Sequence, residues 1–314
     1  MIYIDFCQRS DADEIVQKYC KKILSNATKR EHLDIWCSEY LKYTLEEVIT
    51  AKPNRIREIK RIIDKLDFEK THNSLYNNGS VYVFEKNENG VLEKTKKKNR
   101  CYIVDTLYEN MKSEIRNDLL KSVGAYVCPY CNRNYIITDD NVNTTQLDHF
   151  YSKNNYPILA ISFYNLVPSC PSCNRLKGEI EFDYYPYDPA FKKVDAVKFS
   201  YTVTDADYLH HKDSIVVEAN PTDERFRNQI EKLSLSGLYR YHNDIVFDII
   251  RKANVFNETY ISSLASEFTQ LFSTEDEVRE LIYGVPLTRE EVGKRPLAKL
   301  TQDILSEVCN QRNS

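Results

Sequence analysis

The most specific chemical signal in this sequence is two pairs of cysteines, each pair separated by two residues. Cys128 and Cys131 form the first pair, and Cys170 and Cys173 form the second. Cysteines at this spacing hold zinc, because each tight turn presents two soft thiolates to the same side of a tetrahedral ion. The protein would then fill all four positions around the ion. We therefore expect a structural Zn²⁺ site rather than a catalytic one.

An aspartate–histidine dipeptide lies between the two pairs, and an asparagine directly follows the second pair. On a strand, Asp148 and His149 would point to opposite faces. A histidine is suited near neutral pH to act as general base for the attack of water on phosphorus. The oxygens of Asp148 and Asn174 are hard ligands that suit Mg²⁺ or Mn²⁺. Taken singly, each residue would more often be structural, the asparagine as a helix cap and the histidine as a packed side chain.

Together, these residues resemble the HNH endonuclease family, in which two strands and a helix surround one divalent metal ion. The family pattern is a histidine, then an asparagine, then a histidine or asparagine, and here these are His149, Asn165 and Asn174. The resemblance implies that His149 is the general base and that Asp148 and Asn174 bind catalytic Mg²⁺ or Mn²⁺. It also implies that Asn165 holds the loop that orients His149. The flanking cysteines resemble those of the zinc-stapled, treble-clef-like subgroup, although Gly178 stands where some members have a further histidine ligand.

A looser likeness extends over more of the chain. The segments CPYCNRNYI, LDHFYSK, YPILAISFYNLVPSC and RPLAKLTQDIL are similar to those of the PtuB-type HNH proteins, which are encoded in Septu and retron anti-phage defence systems. Proteins of that group pair with a PtuA-type ATPase of the ABC/SMC kind. The resemblance therefore implies an effector nuclease that acts on nucleic acid and forms a hetero-oligomer with such an ATPase.

Composition sets wider limits on the class of protein. The chain has 314 residues, of which 42% are hydrophobic and 29% are charged, as in soluble globular proteins. It has no apolar run of about 18 residues, which a membrane helix would need, and no signal peptide at its start. The nine cysteines are odd in number. Without a secretion signal, this favours thiols over disulfides. We expect a cytoplasmic protein without membrane association.

The net charge of −4 does not by itself indicate a nucleic-acid-binding protein. Between Lys94 and Arg133, however, nine basic residues stand against four acidic ones. This stretch leads into the cysteine motif and could contact phosphates, although a solvated loop explains its first part equally well. The candidate nucleic-acid contacts are Lys94, Lys96, Lys97, Lys98, Arg100, Arg133, Lys153, Arg175 and Lys177.

The apolar pattern predicts a fold that is mainly α with a small α+β unit, and the resemblance implies that this unit is the catalytic one, a ββα-metal core (HNH, treble-clef-like) stapled by the four-cysteine zinc. Apolar residues recur at helical spacing towards both ends of the chain. Residues 146–150 are expected to form a strand, and 197–203 with 214–218 a small antiparallel pair. The regions expected are an N-terminal helical region (1–120) with a polar hairpin excursion (68–100), the zinc-stapled nuclease domain (121–190), and a mostly helical C-terminal region (191–314).

Three functional hypotheses stay open from the sequence alone. The first is a metal-dependent DNA endonuclease, in which His149 removes a proton from an attacking water and the ion stabilises charge on the phosphate. The second is the same chemistry on RNA such as tRNA. The third is a non-catalytic subunit, whose zinc-held turn only binds nucleic acid or protein. His210 and His211 have no matching ligand spacing nearby, and we expect them at the surface.

Overall fold

The computed structural model describes residues 1–25, 27, 30–66, 107–109, 111–139 and 141–312, with the backbone of two short strands at 85–86 and 92–93. Helices form most of the secondary structure in this part of the chain, as the apolar pattern predicted. None of the described helices has both the length and the apolar character needed to cross a membrane. Their bounds are α1 (Ala12–Ser25), α2 (Arg30–Trp36), α3 (Leu45–Ile49), α4 (Pro53–Asp64), α5 (Ser113–Val123), α6 (Pro171–Lys177), α7 (Arg227–Lys232), α8 (Leu235–Tyr239), α9 (Asn243–Val255), α10 (Glu258–Glu267), α11 (Glu275–Tyr283) and α12 (Ala298–Arg312).

The described strands form small antiparallel pairs. The first joins β1 (Glu85–Lys86) to β2 (Leu92–Glu93) within the predicted polar hairpin, and the rest of that prediction lies outside the described residues. The pair predicted in the C-terminal region is confirmed, since its two strands run antiparallel in register over their whole length. The remaining strands are β3 (Gln146–His149) paired with β4 (Leu166–Ser169), and β5 (Val197–Val203) paired with β6 (Ile215–Pro221).

Local sequence signals explain where the N-terminal helices begin. Pro53 occupies the first turn of α4, where its missing N–H has no partner to lose. Thr44 caps α3 by accepting a hydrogen bond from the backbone N–H of Glu47, whose carboxylate accepts one from the N–H of Thr44. After α2 the chain changes to a π-helical turn, Cys37–Leu41. The apolar spacing does not reveal this change of winding, because the buried residues of the turn keep facing the core.

The first cysteine pair lies on a short hairpin that directly follows α5. The helix ends at Gly124, whose φ of 67° is a conformation that favours glycine. Beyond it, the backbone N–H of Ile136 donates to the carbonyl oxygen of Tyr126 at 2.9 Å. The N–H of Cys128 donates to the carbonyl oxygen of Asn134 at 3.0 Å. These two bonds hold the turn that carries Cys128 and its partner cysteine.

One continuous hydrophobic core links the N-terminal, central and C-terminal regions. Phe163 in the central region packs against Phe6 and Tyr19, with ring centroids 5.1 and 5.4 Å apart. Ile250 of α9 and Leu300 of α12 belong to the same cluster of buried residues. The central region therefore shares its core with both the N-terminal and the C-terminal helical regions.

Candidate functional site

The four predicted zinc ligands meet at one point in the structure. The Sγ atoms of Cys128, Cys131, Cys170 and Cys173 all lie within 4.8 Å of one another, and all four residues are buried. Four thiolates bound tetrahedrally to zinc at about 2.3 Å would lie about 3.8 Å apart. The cluster could therefore hold a zinc ion with little movement, and the predicted convergence of the four thiols is confirmed. No open position would remain for catalysis.

Hydrogen bonds from N–H groups surround this thiol cluster. The backbone N–H of Cys170 donates to Sγ of Cys128 at 3.4 Å, and that of Arg133 donates to Sγ of Cys131 at 3.4 Å. The side-chain amide of Asn134 donates to Sγ of Cys170 at 3.3 Å. Donors of this kind favour the charged form of sulfur, which is the form that binds a metal. Their arrangement suits four thiolates around one cation.

Asn132 fixes the first cysteine turn to the last helix of the chain. Its backbone has a φ of 51°, a left-handed conformation that asparagine tolerates better than most residues. Its side-chain oxygen accepts from the N–H of Lys299 at 2.9 Å, and its amide donates to the carbonyl oxygen of Val292 at 3.0 Å. Asn132 was not among the site residues predicted from the sequence. The only signal was an asparagine directly after the cysteine turn, where a left-handed residue is often needed.

β3, β4 and α6 follow one another and pack together. In the β3–β4 pair, Asp148 lies opposite Val167 and His149 lies opposite Leu166. The second cysteine pair continues from β4 into α6, since Cys170 occupies the position just before the first residue of that helix. The thiol cluster therefore lies at the junction of strand and helix. The strand expected over 146–150 is present as Gln146–His149, whereas a ββα-metal core stays a prediction.

His149 is held in one protonation state by its surroundings. Its Nε2 lies 3.1 Å from the carbonyl oxygen of Ala160, which can only accept, so Nε2 carries the proton. Burial lowers the pKa of His149 to about 3, and the positive charge of Lys153 adds to this effect. Lys177 and Arg116 act in the same direction. The imidazole is therefore neutral at pH 7, with the free electron pair on Nδ1.

The ring of Tyr108 lies against this imidazole, and two cations lie over that ring. The ring of Tyr108 meets His149 edge-on at 4.4 Å between centroids, and only 9% of the His149 surface is exposed. Lys153 lies over the Tyr108 ring at 4.9 Å, and the Arg116 guanidinium lies over it at 5.4 Å. Nε of Arg116 is buried and has no hydrogen-bond partner. Arg116 was expected only as part of the basic stretch, and Tyr108 was not among the predicted site residues.

Asn165 ties together the loop between β3 and β4. Its side chain is fully buried, and its oxygen accepts from the backbone N–H of Tyr151 at 2.8 Å. Its amide donates to the carbonyl oxygens of Tyr151 at 3.1 Å and Leu159 at 2.9 Å. Leu159 directly precedes Ala160, the residue that fixes Nε2 of His149. These are the contacts that a loop-holding residue needs, whereas its part in catalysis stays a prediction.

Asp148 points away from His149 and is engaged by two other side chains. The hydroxyl of Tyr130 donates to its Oδ2 at 2.5 Å, and Nζ of Lys177 lies 3.2 Å from the same oxygen. Burial raises the pKa of Asp148, which the charge of Lys177 and the hydrogen bond from Tyr130 oppose. Lys177 was predicted to contact nucleic acid, and this is wrong. The residue is fully buried, because its ammonium group is needed inside to neutralise Asp148.

Of the two predicted divalent-metal ligands, Asp148 does not fit an ion as it lies. Asp148 already accepts from an ammonium group and a hydroxyl, whereas Asn174 donates through its side-chain N–H to Gln146 at 2.7 Å and keeps its oxygen. A second cation beside Lys177 would face it at close range in a buried site. Within the described residues, the four cysteines are the one group of three or more histidine, cysteine or acidic side chains that could hold a metal. The described part of the chain therefore holds no group of this kind for the predicted Mg²⁺ or Mn²⁺.

The remaining candidate nucleic-acid contacts differ in exposure. Arg175 is exposed on α6, close in sequence to the second cysteine pair. Arg133 is half-buried beside the first cysteine turn. Lys153 donates to the carboxylate of Glu109 while it lies over Tyr108. The other candidates, Lys94, Lys96, Lys97, Lys98 and Arg100, lie outside the described residues.

Comparisons were made with models of protein families, with curated proteins and with solved structures. None of the three gave a match to this chain.

Proposed function

We propose that this chain is a phosphodiesterase that cleaves nucleic acid, with DNA as the first candidate substrate and His149 as the general base. The observation that supports this most is the pairing of a neutral imidazole with two cations, Lys153 and Arg116, which lie over the adjacent Tyr108 ring and lower the pKa of His149. A base must be unprotonated to accept a proton, and a phosphodiester needs positive charge around it. Both conditions hold at the same place.

In the proposed reaction, Nδ1 of His149 accepts a proton from a water molecule, whose oxygen attacks phosphorus in line with the leaving 3′ oxygen. The P–O3′ bond breaks, and the leaving oxygen takes a proton from solvent, which gives 5′-phosphate and 3′-hydroxyl ends. Arg116 and Lys153 would neutralise charge on the phosphate. A bound phosphate would in turn raise the pKa of His149, because it offsets the cations that lower it, and this makes the imidazole a stronger base.

A second candidate function is a non-catalytic zinc-held subunit, and one observation favours it. His149 is 9% exposed, with the Tyr108 ring against it, and Asp148 is 2% exposed. A buried histidine whose Nε2 is hydrogen-bonded to the backbone is also typical of a structural residue. The two candidates differ in one respect that can be measured, because only the first loses an activity when the imidazole is removed.

The test is cleavage of supercoiled plasmid, linear DNA and tRNA by the purified, zinc-loaded chain and by His149→Ala. We expect the variant to cut roughly 100-fold to 10,000-fold more slowly, since that is the contribution of a general base. His211→Ala is the matched control, because His211 is exposed in a loop and should cut like the wild type. Zinc content and thermal midpoint must be measured for each variant.

His149→Gln covers the case in which the alanine variant misfolds, since its amide can still donate to Ala160 while it cannot act as a base. Equal cutting rates for wild type and a folded His149 variant would rule out the proposed mechanism. No cutting of any substrate by the wild type would favour the non-catalytic subunit.

From the resemblance to PtuB-type proteins, we also propose a biological role. The chain would be the effector of an anti-phage defence system and would work with a PtuA-like ATPase. Its support is the set of sequence segments named above, and none of the contacts described for the site bears on it. Co-purification with the product of a neighbouring ATPase gene would test it directly.

A further inference from the structure

Lys177 is a buried ammonium group whose donors are all in use. Its Nζ lies 3.3 and 3.2 Å from the two carboxylate oxygens of Asp148 and 2.8 Å from the backbone oxygen of His149. An ammonium group has three N–H donors, so these three acceptors account for all of them. The rings of Phe150 and Phe182 lie 5.9 and 5.7 Å from Nζ. Lysine is almost never fully buried unless it is paired in this way.

The carboxylate of Asp148 is equally well satisfied by the protein. Tyr130, itself fully buried, donates to Oδ2 at 2.5 Å. Both carboxylate oxygens thus have a donor from the protein, and 2% of Asp148 is exposed. A buried carboxylate needs one positive partner, and here a side chain one turn along α6 from Asn174 supplies it.

We propose that the Lys177 ammonium occupies the cation position of Asp148, so that this carboxylate does not bind a divalent ion. This inference rests on the proposed function, because it states which cation lies beside Asp148 on β3 in the proposed cleavage site. Lys177 is then a positioning residue. It ties the backbone oxygen of His149 to the side chain of Asp148 and so holds the end of the strand that carries the imidazole.

Mn²⁺ alone is the probe for this proposal, because free Mn²⁺ gives a paramagnetic resonance signal that decreases when the ion binds. The zinc-loaded wild type and Asp148→Asn are titrated with Mn²⁺. We expect no stoichiometric site at Asp148, so the two titrations should coincide. A stoichiometric site in the wild type that is lost in Asp148→Asn would overturn the proposal. A site that both proteins share lies elsewhere and leaves Asp148 without an ion, as proposed.

Removing the ammonium group provides the complementary measurement. Lys177→Ala takes away the charge and leaves space beside Asp148, so we expect Mn²⁺ to bind at least tenfold more tightly than in the wild type. The double variant Lys177→Ala/Asp148→Asn should lose this gain. If Lys177→Ala does not retain zinc, Lys177→Gln takes its place, because it keeps much of the length without the charge. A folded Lys177 variant that gains no Mn²⁺ site would also overturn the proposal.

The proposal and the proposed function can fail separately. Mn²⁺ binding is measured without any substrate, so it decides the identity of the cation even if the chain cuts nothing. Cleavage that requires added Mg²⁺ or Mn²⁺, together with an ion site lost in Asp148→Asn, would remove the proposal and leave the nuclease. Cleavage by the wild type in metal-depleted buffer that leaves its zinc in place is the result expected if both are right.

Discussion

The two ring nitrogens of His149 have different surroundings, and this difference sets its chemistry. Nε2 donates to the backbone of Ala160, which leaves Nδ1 as the acceptor. Part of the neighbouring positive charge comes from Arg116 on α5 and Lys177 on α6, which are far from His149 in sequence. The protonation state of the imidazole is therefore a property of the fold.

The pH dependence of stability should report this state. The unfolded chain protonates His149 near pH 6.5, whereas the folded chain keeps it neutral down to about pH 3. Between these values the unfolded state binds more protons, so the free energy of unfolding falls as the pH falls. We expect the wild type to lose up to about 1.4 kcal/mol per pH unit more than His149→Gln in this window.

Urea denaturation of the two proteins at pH 7, 6 and 5 measures this difference. Release of zinc in acid affects both proteins alike, so the difference between their curves isolates His149. Parallel curves would mean that the folded and unfolded states hold this proton equally well.

At the level of single residues, the sequence predicted those groups whose spacing is itself a recognisable motif. The four cysteines could be assigned because metal spacing is itself a sequence signal. The role of Lys177 could not be predicted, because a lysine in a short polar helix is expected to be exposed to solvent. No nearby sequence signal indicates that Asp148 is its partner. Asn132 and Tyr108 were missed for the same reason, since their contacts come from distant segments.

At the level of elements, the thiol cluster joins the hairpin after α5 to the start of α6. Cys128 and Cys131 lie on the hairpin, while Cys170 and Cys173 lie where β4 becomes helix. An ion in this cluster would fix the direction in which α6 leaves the strand. The position of Lys177 at the far end of that helix depends on this direction.

Replacing one ligand should therefore loosen the whole strand–strand–helix unit. We expect Cys173→Ser to lower bound zinc from one ion per chain to nearly none and to lower the thermal midpoint strongly. Structural zinc sites contribute on the order of 10 kcal/mol of binding free energy. Metal analysis and circular dichroism on heating measure the two effects.

Cys309→Ser on α12 is the control for this variant, because Cys309 is half-buried and outside the cluster. It should keep both the zinc and the midpoint of the wild type. Full zinc content in Cys173→Ser would show that the thiols do not act as one site.

Helix and strand positions could be predicted better than their exact ends. Apolar periodicity indicated helices towards both ends of the chain, and alternation located β5 and β6. The π-helical turn after α2 could not be predicted, because its winding depends on packing rather than on the order of apolar and polar residues. The family resemblance singled out Asn165 as the residue that holds the β3–β4 loop, but the partners of its three hydrogen bonds could not be read from the pattern.

At the level of the whole molecule, the regions predicted from sequence share a single core, and Asn132 links two of them. Its side-chain oxygen accepts from the N–H of Lys299 in the first turn of α12, where helical N–H groups lack partners within the helix. The N-terminal region contributes Phe6 and Tyr19 to the same core. Unfolding of one region should then accompany unfolding of the others.

Asn132→Ala tests this cooperation. We expect a loss of about 2–4 kcal/mol, because a helix-capping contact is removed, the oxygen of Val292 loses its donor, and alanine is disfavoured at positive φ. Trp36 is the one tryptophan in the chain and lies in α2, far along the sequence from Asn132. Its fluorescence and the circular dichroism should shift to the same lower urea midpoint.

Asn132→Asp keeps the oxygen that caps α12 and should lose less stability than the alanine variant. A Trp36 transition that stays at the wild-type midpoint, while the circular dichroism changes earlier, would show that the C-terminal region unfolds by itself.

The shared core also limits how far the protein can be cut down for study. A peptide of residues 121–190 would carry all four thiols and His149. It would, however, leave Phe163 without the rings of Phe6 and Tyr19, and the carbonyl oxygen of Cys131 without the hydroxyl of Tyr239 that donates to it. Such a fragment would expose apolar surface and loosen the turn that carries the first cysteine pair, so it is a poor starting point for a minimal version of the protein.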